Sequence, residues 1–434
     1  MKSTIYPAIL LFALAASAQT VDLRDSDAIA TRAVESSSAI RVLDARIEAA
    51  RESLILTEAQ PNPMAMGGIQ NLGQDLSNDP MMTMYMIGAS QTFVPKERRR
   101  ALRGAAEARL EELETQRASI AAEIERDARI EWIELGSIHA RLKVVEEVGS
   151  LTESMVAAAR ARYETARATQ SDVVRAQLAH SDVTHRLISL RGERSAVVAR
   201  LLSILDLPQE TEVPRIEIPH AAPDATAGPS SFATHPAVES LRAAAESAEA
   251  RIELARAARQ PEWGIEGSWS YRPEADGMIS LLARVELPIR NDSKIEPAIR
   301  QAIAEREVAL RSIEALERTL AERAAIARAV RNESAEQIRF HEEVLIPQAR
   351  LAFESTLSAY QTAGVDLEAL IGVQSSYVRL ALDFHSFLSR AMRADADLEA
   401  LARGARTITV ASSGMTVDAS GAAPSMDAAA ASGM

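Results

Sequence analysis

The feature that most constrains the fold is an internal duplication. Three short segments recur in the same order: Gln60-Pro61 with Gln260-Pro261, Phe93-Val94-Pro95 with Glu286-Leu287-Pro288, and Tyr163-Glu164-Thr165-Ala166 with Tyr360-Gln361-Thr362-Ala363. The offsets of 200, 193 and 197 residues differ only by small insertions. Three ordered matches at one period indicate two copies of the same structural plan.

Each half is predicted to contain a helix, a β-hairpin, a very long helix, a tight turn and another long helix. The predicted elements of the first half are a helix at 24–59, strands at 64–72 and 82–94 around an Asp75–Pro80 turn, and helices at 96–162 and 171–205, the last capped by Ser171. The predicted elements of the second half are a helix at 235–259, strands at 262–272 and 278–287, a helix at about 295–359 interrupted at Pro347, and a helix at 366–402.

The long helix of the first half has no proline between Lys96 and Arg162. Its apolar residues recur at spacings of three and four, as in Leu135, Ile138 and Leu142, which is typical of a helix packed along one face. At 1.5 Å per residue such a helix would be on the order of 100 Å long. A helix of this length cannot be buried inside one globule.

The start of the chain is typical of a secretory signal peptide. Lys2 supplies the positive end, residues 9–16 form a short apolar core, and Ala16-Ser17-Ala18 gives the small-residue cleavage pattern. An exported protein is therefore expected. The predicted domains are a signal peptide at 1–18, a first repeat at 19–205, a proline-rich strap at 206–234, a second repeat at 235–402 and a tail at 403–434 that is expected to be disordered.

Composition excludes several classes of function. A formal net charge of -13 disfavours a nucleic-acid role, because binding phosphate needs a surplus of lysine and arginine. The chain has no cysteine, so it can form neither a disulfide nor a thiolate metal site. His341-Glu342-Glu343 begins like a zinc-protease motif, but no histidine follows at the required spacing, so a solvated helix face is predicted there. We expect no enzymatic activity and no cofactor.

The strand candidates alternate in a way that fits a membrane wall. In the second half, Trp263, Ile265 and Trp269 alternate with Glu266 and Ser268. Strands of about ten residues with one apolar and one polar face are what a transmembrane β-barrel requires. A soluble half-buried hairpin alternates in the same way. The signal peptide and the very long helices favour the membrane wall.

A membrane wall built from this chain needs several subunits. Four strands cannot close into a barrel, and lipid leaves no backbone group at a strand edge unpaired. Single-chain barrels start at about eight strands, so at least two copies are expected.

Four segments carry a resemblance to a known family. They are YETARATQSDVVRAQ at 163–177, YQTAGVDLEALIGVQ at 360–374, and the strand ends ASQTFVP and ARVELPI. With the duplicated plan, they make the mature chain to about residue 402 resemble the outer membrane efflux protein family, the TolC-like channels. Within that family it is similar to the branch partnered with heavy-metal exporters.

The resemblance implies a mostly helical fold with a small membrane β portion. It implies a homotrimer in which four strands per chain build a 12-stranded barrel in outer-membrane lipid, above a helical tunnel in the periplasm. The implied partners are a periplasmic adaptor, or membrane fusion protein, and an inner-membrane transporter of the RND type. The implied function is passive conduction from the periplasm to the outside, with heavy-metal ions such as copper or silver as cargo.

Asp172, Asp366 and Glu368 are the candidate residues of a periplasmic tip or gate. Carboxylates at helix starts cap unpaired N–H groups, and this role alone accounts for them. In a trimer, three copies of each would also crowd around a narrow opening and attract cations. Gly372 departs from the family pattern, because members with acidic rings carry an acid at that position.

Methionines crowd the first β-hairpin, at positions 64, 66, 81, 82, 84 and 86. Thioether sulfur suits Cu(I) or Ag(I). Counting forward from Gln60-Pro61 places Met64 and Met66 toward the lumen, which makes them the candidate metal ligands. Counting back from Pro95 places Met82, Met84 and Met86 on the lipid side.

Lys96, Arg98, Arg99 and Arg100 follow Pro95 at the junction between strand and helix. Basic residues at such a junction are predicted to anchor the protein at the membrane interface.

A competing class is a soluble periplasmic coiled-coil adaptor or scaffold, which also contains long helices. Such an adaptor should carry one hairpin flanked by compact β-domains. The duplicated hairpins and strand pairs of this chain favour the channel.

Overall fold

The computed structural model describes residues 22–71, 83–219, 231–272, 275–286, 292–362 and 364–403. The predicted signal peptide, the Asp75–Pro80 turn, part of the strap and the tail lie outside the described residues. The described elements, in chain order, are α1 (Ser26–Ser36), α2 (Ser38–Leu56), β1 (Met64–Gln70), β2 (Met84–Phe93), α3 (Lys96–Glu164), α4 (Gln170–Ile204), α5 (Pro236–Ala257), β3 (Trp263–Arg272), β4 (Ala275–Val285), α6 (Asp292–Phe340), a π-helical turn (His341–Leu345), α7 (Ile346–Gln361) and α8 (Leu367–Arg403).

The opening helix of the first half is divided in two. Ser37 adopts an extended conformation, and its side chain accepts a hydrogen bond from the Ile40 N–H at 3.4 Å. Ser37 therefore caps the start of α2, because a hydroxyl oxygen satisfies an N–H group that has no partner within the helix. The single helix predicted over 24–59 is corrected to α1 and α2.

The helix predicted over 295–359 is interrupted close to Pro347, as expected. The interruption is a single π-helical turn at His341–Leu345, which precedes the proline. Proline clashes with the carbonyl four residues earlier, and a wider turn is one way for a helix to accommodate that clash. His341 is buried and its ring lies 5.2 Å from that of Phe387. The prediction of a solvated face was therefore wrong for His341, although Glu342 and Glu343 are exposed.

The described residues divide into two compact units. The first contains the described parts of 1–36, 127–219 and 350–385, and the second those of 37–126, 220–349 and 386–434. Among the described residues, no helix is both long enough and apolar enough to cross a bilayer.

In the first unit, the predicted apolar stripe of α3 forms the core. Leu135, Ile138 and Leu142 are all buried. The first part of the strap packs beside this stripe through Val213, Ile216 and Ile218, which are also buried. Gly136 faces Ile218 so closely that a Cβ at this position would collide with the Ile218 Cγ2 atom. Glycine at 136 therefore makes room for the strap.

The second unit contains the β-sheet and two helical cores. One core includes Val238, Leu320 and Leu398, and the other includes Ile252 and Ile299. The sheet has four antiparallel strands in the order β1-β2-β3-β4, so the hairpins of the two repeats join through β2 and β3. The duplicated plan predicted from the sequence is confirmed in the order of its elements.

Candidate functional sites

The register of the sheet decides which side chains share a face. In β2 and β3, Ile87 pairs with Trp269, and Trp269 pairs in turn with Ile279 of β4. Residues that pair directly point to the same side of a sheet. Ile87, Trp269 and Ile279 therefore lie on one face, together with every second residue along each strand, and we call it the apolar face.

The apolar face is exposed, whereas the polar face is partly covered. Ile87, Ile279 and Leu281 are 63%, 84% and 80% exposed, but Ser268 on the polar face is only 9% exposed. A soluble half-buried hairpin has the opposite arrangement, with its apolar side against the core. A contiguous exposed apolar face of this kind marks a surface that contacts a membrane or another protein.

Aromatic pairs lie toward both ends of the central strands. Phe93 stacks on Trp263 with their ring centroids 4.4 Å apart, and Trp269 stacks on Tyr271 at 6.1 Å. Aromatic residues near both ends of the strands are typical of a barrel wall at its two membrane interfaces.

The two outer strands leave backbone groups available. Within the described part of the chain, β1 and β4 each pair on one side only. In lipid these edge groups would need partners, and a second copy of the same sheet could supply them.

The register places Met84 and Met86 on the polar face. Met86 pairs with Ser270, whereas Ile279 pairs with Trp269. The prediction that Met84 and Met86 lie on the lipid side was therefore wrong, and Met82 lies outside the described residues.

The error came from counting back from the prolines. Phe93 and Val285 both pair with Trp263, but they precede Pro95 and Pro288 by two and three residues respectively. A slip of one residue moves every side chain to the other face. Met64 and Met66 do lie on the polar face, as expected, since they pair with Ser90 and Gly88.

The basic residues after β2 lie at the start of α3. Arg98 forms an ion pair with Glu262, which directly precedes β3. Lys96 and Arg100 are exposed. Their predicted role as an interfacial anchor stays a prediction.

The turn between α3 and α4 contains a capping box. The N-cap is Thr169 and not Ser171, because the Thr169 side chain accepts a hydrogen bond from the Asp172 N–H. The Asp172 carboxylate in turn accepts hydrogen bonds from the Thr169 N–H at 2.7 Å and from the Thr169 hydroxyl at 2.9 Å. These two hydrogen bonds hold the pKa of Asp172 below its usual value.

Asp366, in the turn between α7 and α8, caps the start of α8. One oxygen of the Asp366 side chain accepts a hydrogen bond from the Ala369 N–H at 2.9 Å. Asp172 and Asp366 therefore have the capping role that the sequence predicted for them. Glu368 is exposed and forms an ion pair with Arg175 of α4 at 2.9 Å.

A second arginine links the two helical hairpins. Arg162, near the end of α3, donates a hydrogen bond to the carbonyl oxygen of Tyr360 at 2.6 Å. Its guanidinium also lies over the Tyr360 ring, 4.4 Å from the centroid. Tyr360 is buried in a core with Met155 and Leu367, so the contact is anchored on a rigid side chain.

The roles of Arg162, Arg175 and Tyr360 in linking the hairpins were not predicted from the sequence. With the offset of 197, Arg162 corresponds to Ala359 and Arg175 to Gly372, so each arginine is present in only one repeat. That asymmetry is the signal that could have identified both. The same comparison concerns Gly372, because the residue at the corresponding position of the first repeat is Arg175, which binds Glu368.

Among the residues that the structure describes, no three histidine, aspartate or glutamate side chains are placed to hold a metal ion.

The sheet and the duplicated helical hairpins define a class of fold, that of mostly helical proteins with a small membrane-type β portion. Solved structures with this fold include CusC, in a study of transmembrane channel formation, with a TM-score of 0.73 and 16% identity over 87% of this chain and 91% of that one. The outer-membrane channel OprN gives a TM-score of 0.74 and 14% identity over 88% of this chain and 91% of OprN. The outer membrane protein VceC of Vibrio cholerae gives 0.71 and 14% identity over 87% of this chain and 95% of VceC.

No protein-family model and no curated protein sequence matches this chain. At these identities, the similarity to solved structures establishes the fold. The chain therefore has the fold of these outer-membrane channels.

Proposed function

We propose that this protein is the outer-membrane channel subunit of a tripartite efflux pump. The observation that carries the proposal is the sheet whose apolar face is exposed while its polar face is partly covered. Three copies would pair β1 of one subunit with β4 of the next and close a 12-stranded barrel in outer-membrane lipid. The helices would extend into the periplasm.

The channel itself would be passive. It would conduct substrate outward, and an inner-membrane transporter, of the RND type by family resemblance, would supply the energy. A periplasmic adaptor would join the two. The fold of the solved channels supports this role over that of a soluble coiled-coil adaptor.

The tip of the helical hairpins would form the gate. Opening a helical tip requires its hairpins to separate, and the Arg162–Tyr360 and Arg175–Glu368 contacts oppose separation of the two hairpins of one chain. Asp172 and Asp366 would act mainly by capping the helices whose starts form the tip.

The proposed cargo is a soft heavy-metal ion such as copper or silver. The support is the family branch that the sequence resembles, together with Met64 and Met66 on the polar face. Deletion of the gene should raise sensitivity to copper or silver more than to bulky drugs. Equal sensitivity to all compounds in a growth panel would remove the metal assignment and leave the channel.

The channel proposal is tested by cell fractionation and by gel migration with and without heating. We expect the protein in the outer-membrane fraction, with an unheated band at the mass of a trimer that collapses to the monomer on heating. Recovery as a water-soluble monomer would contradict the proposal.

A further inference from the structure

Five of the seven methionines that the structure describes lie on the polar face of the sheet. They are Met64, Met66, Met84, Met86 and Met278, and the other two are Met155 and Met392. Leu282 of β4 also lies on the polar face, where it pairs with Glu266. The signal is therefore the grouping of four methionines on the two neighbouring strands β1 and β2.

The methionines of β1 and β2 are placed so that their sulfur atoms can converge. Met66 pairs with Gly88, and Met86 pairs with Gly68, so the two methionines are diagonal neighbours across the strands. Diagonal neighbours have Cα atoms about 7–8 Å apart, within reach of long side chains. Both intervening positions are glycine, and the Met86 Cγ atom lies 4.0 Å from where a Cβ of Gly68 would be. The Met86 side chain therefore lies beside Gly68 on this face, at ordinary contact distance.

Met64 and Met84 extend this pair into a patch of four. Each is two residues from its neighbour on the same strand, on the same face and about 7 Å away, but the two lie at opposite ends of the row, about 20 Å apart, so one ion cannot contact both. Met278 differs from these four because its sulfur accepts a hydrogen bond from the Arg272 guanidinium at 3.0 Å. A guanidinium at that distance would also repel a cation, so Met278 is not part of the patch.

We propose that Met66 and Met86 form a binding site for a soft monovalent cation, Cu(I) or Ag(I), on the inner wall of the barrel, and that Met64 and Met84 each offer one further sulfur on either side of it. Neutral thioether sulfur is a soft ligand, which favours these ions over hard cations that prefer oxygen. The proposal rests on the proposed function, since it is barrel closure that turns the polar face toward the conduit. Such a site would hold the ion weakly enough for it to leave again.

The site is tested on the full chain, purified in detergent, by titration with Ag(I) in chloride-free buffer and isothermal calorimetry. The test variant is the double substitution Met66→Leu with Met86→Leu, which keeps the side-chain volume nearly constant. The control is Met278→Leu on the same face. We expect the double substitution to weaken Ag(I) binding by about tenfold or more, because it removes both of the soft ligands that converge. The control variant should bind Ag(I) with the affinity of the unsubstituted protein. Neither of these two proteins should bind Zn(II) at this site.

Two results would overturn the site: no Ag(I) binding by the unsubstituted protein, or equal binding by the double variant. If the double variant does not assemble, Met66→Leu and Met86→Leu are measured singly. If both single variants bind Ag(I) with the affinity of the unsubstituted protein, the site is likewise refuted. These results are separate from the channel proposal. A heat-modifiable trimer that binds no Ag(I) would refute the metal site alone, whereas a soluble monomer would refute the channel proposal as well.

Discussion

Gly136 is a residue at which one added methyl group would act directly on the fold. A Cβ there would collide with Ile218 and would lie 3.3 Å from the Ile216 Cγ2 atom. We expect Gly136→Ala to lower the free energy of unfolding by about 1–3 kcal/mol, because overpacking a filled site forces the strap or the helix to shift. The measurement is the thermal unfolding midpoint of the purified protein.

The control for Gly136 is Gly192→Ala in α4, where no described atom lies within 4 Å of the added Cβ. Alanine there should be neutral or should stabilise by up to about 1 kcal/mol, because it favours helix more than glycine does. Equal effects of the two substitutions would show that the strap does not pack on Gly136.

His139 makes stability depend on pH. Its ring is buried, the Ile216 N–H donates to its Nδ1 atom at 3.1 Å, and Arg194 and Arg215 lie nearby. Burial, followed by the positive charges of Arg194 and Arg215, lowers the pKa of His139 to about 4. The folded state therefore favours the neutral ring, and the unfolded chain takes up a proton first as pH falls.

The stability that His139 contributes is complete above about pH 6.5 and is lost as pH falls toward 4, by on the order of 3 kcal/mol at most. His139→Gln should flatten the decrease in the unfolding midpoint between pH 7 and pH 5. The exposed His185 serves as control, and His185→Gln should leave the profile unchanged. An unaltered profile in His139→Gln would refute this assignment.

At the scale of elements, two contacts tie the α3–α4 hairpin to the α7–α8 hairpin. We expect Arg162→Ala combined with Arg175→Ala to raise the single-channel conductance in planar bilayers, because both contacts between the hairpins are lost. Removing the exposed Arg175–Glu368 pair by itself should cost less than about 1 kcal/mol of stability.

The matched control for the hairpin contacts is Arg350→Ala. Arg350 pairs with Glu354 within α7 at 2.9 Å, so its loss removes an ion pair without affecting a link between hairpins. The single-channel conductance of the Arg350→Ala variant should equal that of the unsubstituted channel. A double arginine variant with the same conductance as Arg350→Ala would argue against a gate at these contacts.

Elements were predicted well where a local pattern specifies them. The spacing of Leu135, Ile138 and Leu142 identified α3, and alternation identified β3 and β4. The Asp75–Pro80 turn marked the hairpin of β1 and β2. Side-chain faces that depend on register were harder, since a difference of one residue before Pro95 and Pro288 reversed the side of Met86. Arg162 and Tyr360 were missed because they are 198 residues apart, and no local pattern reports a contact of that kind.

At the scale of the whole molecule, the exposed apolar face predicts how single charges will act. Arginine at Ile279 or Leu281 should cost about 2–4 kcal/mol in the middle of a bilayer, because lipid does not solvate the charge. We expect either substitution to abolish the heat-modifiable oligomer. Both side chains are at least 80% exposed in the chain, so the fold of the subunit should be little affected.

Ser280→Arg is the control for these two substitutions. Ser280 lies between Ile279 and Leu281 but pairs with Ser268 on the polar face. An arginine there should be tolerated, and the oligomer should form. Loss of the oligomer in all three variants would indicate damage to the strand instead of contact with lipid.

The account depends on which face of the sheet contacts lipid, and single cysteines can measure this directly because the natural chain contains none. Cysteines at positions 279 to 283 of β4 would carry spin labels, and collision rates with oxygen and with a water-soluble relaxation agent would be compared in the reconstituted protein. We predict alternation, with labels at 279, 281 and 283 in hydrocarbon and labels at 280 and 282 in water. Uniform exposure of all five labels to water would contradict the account.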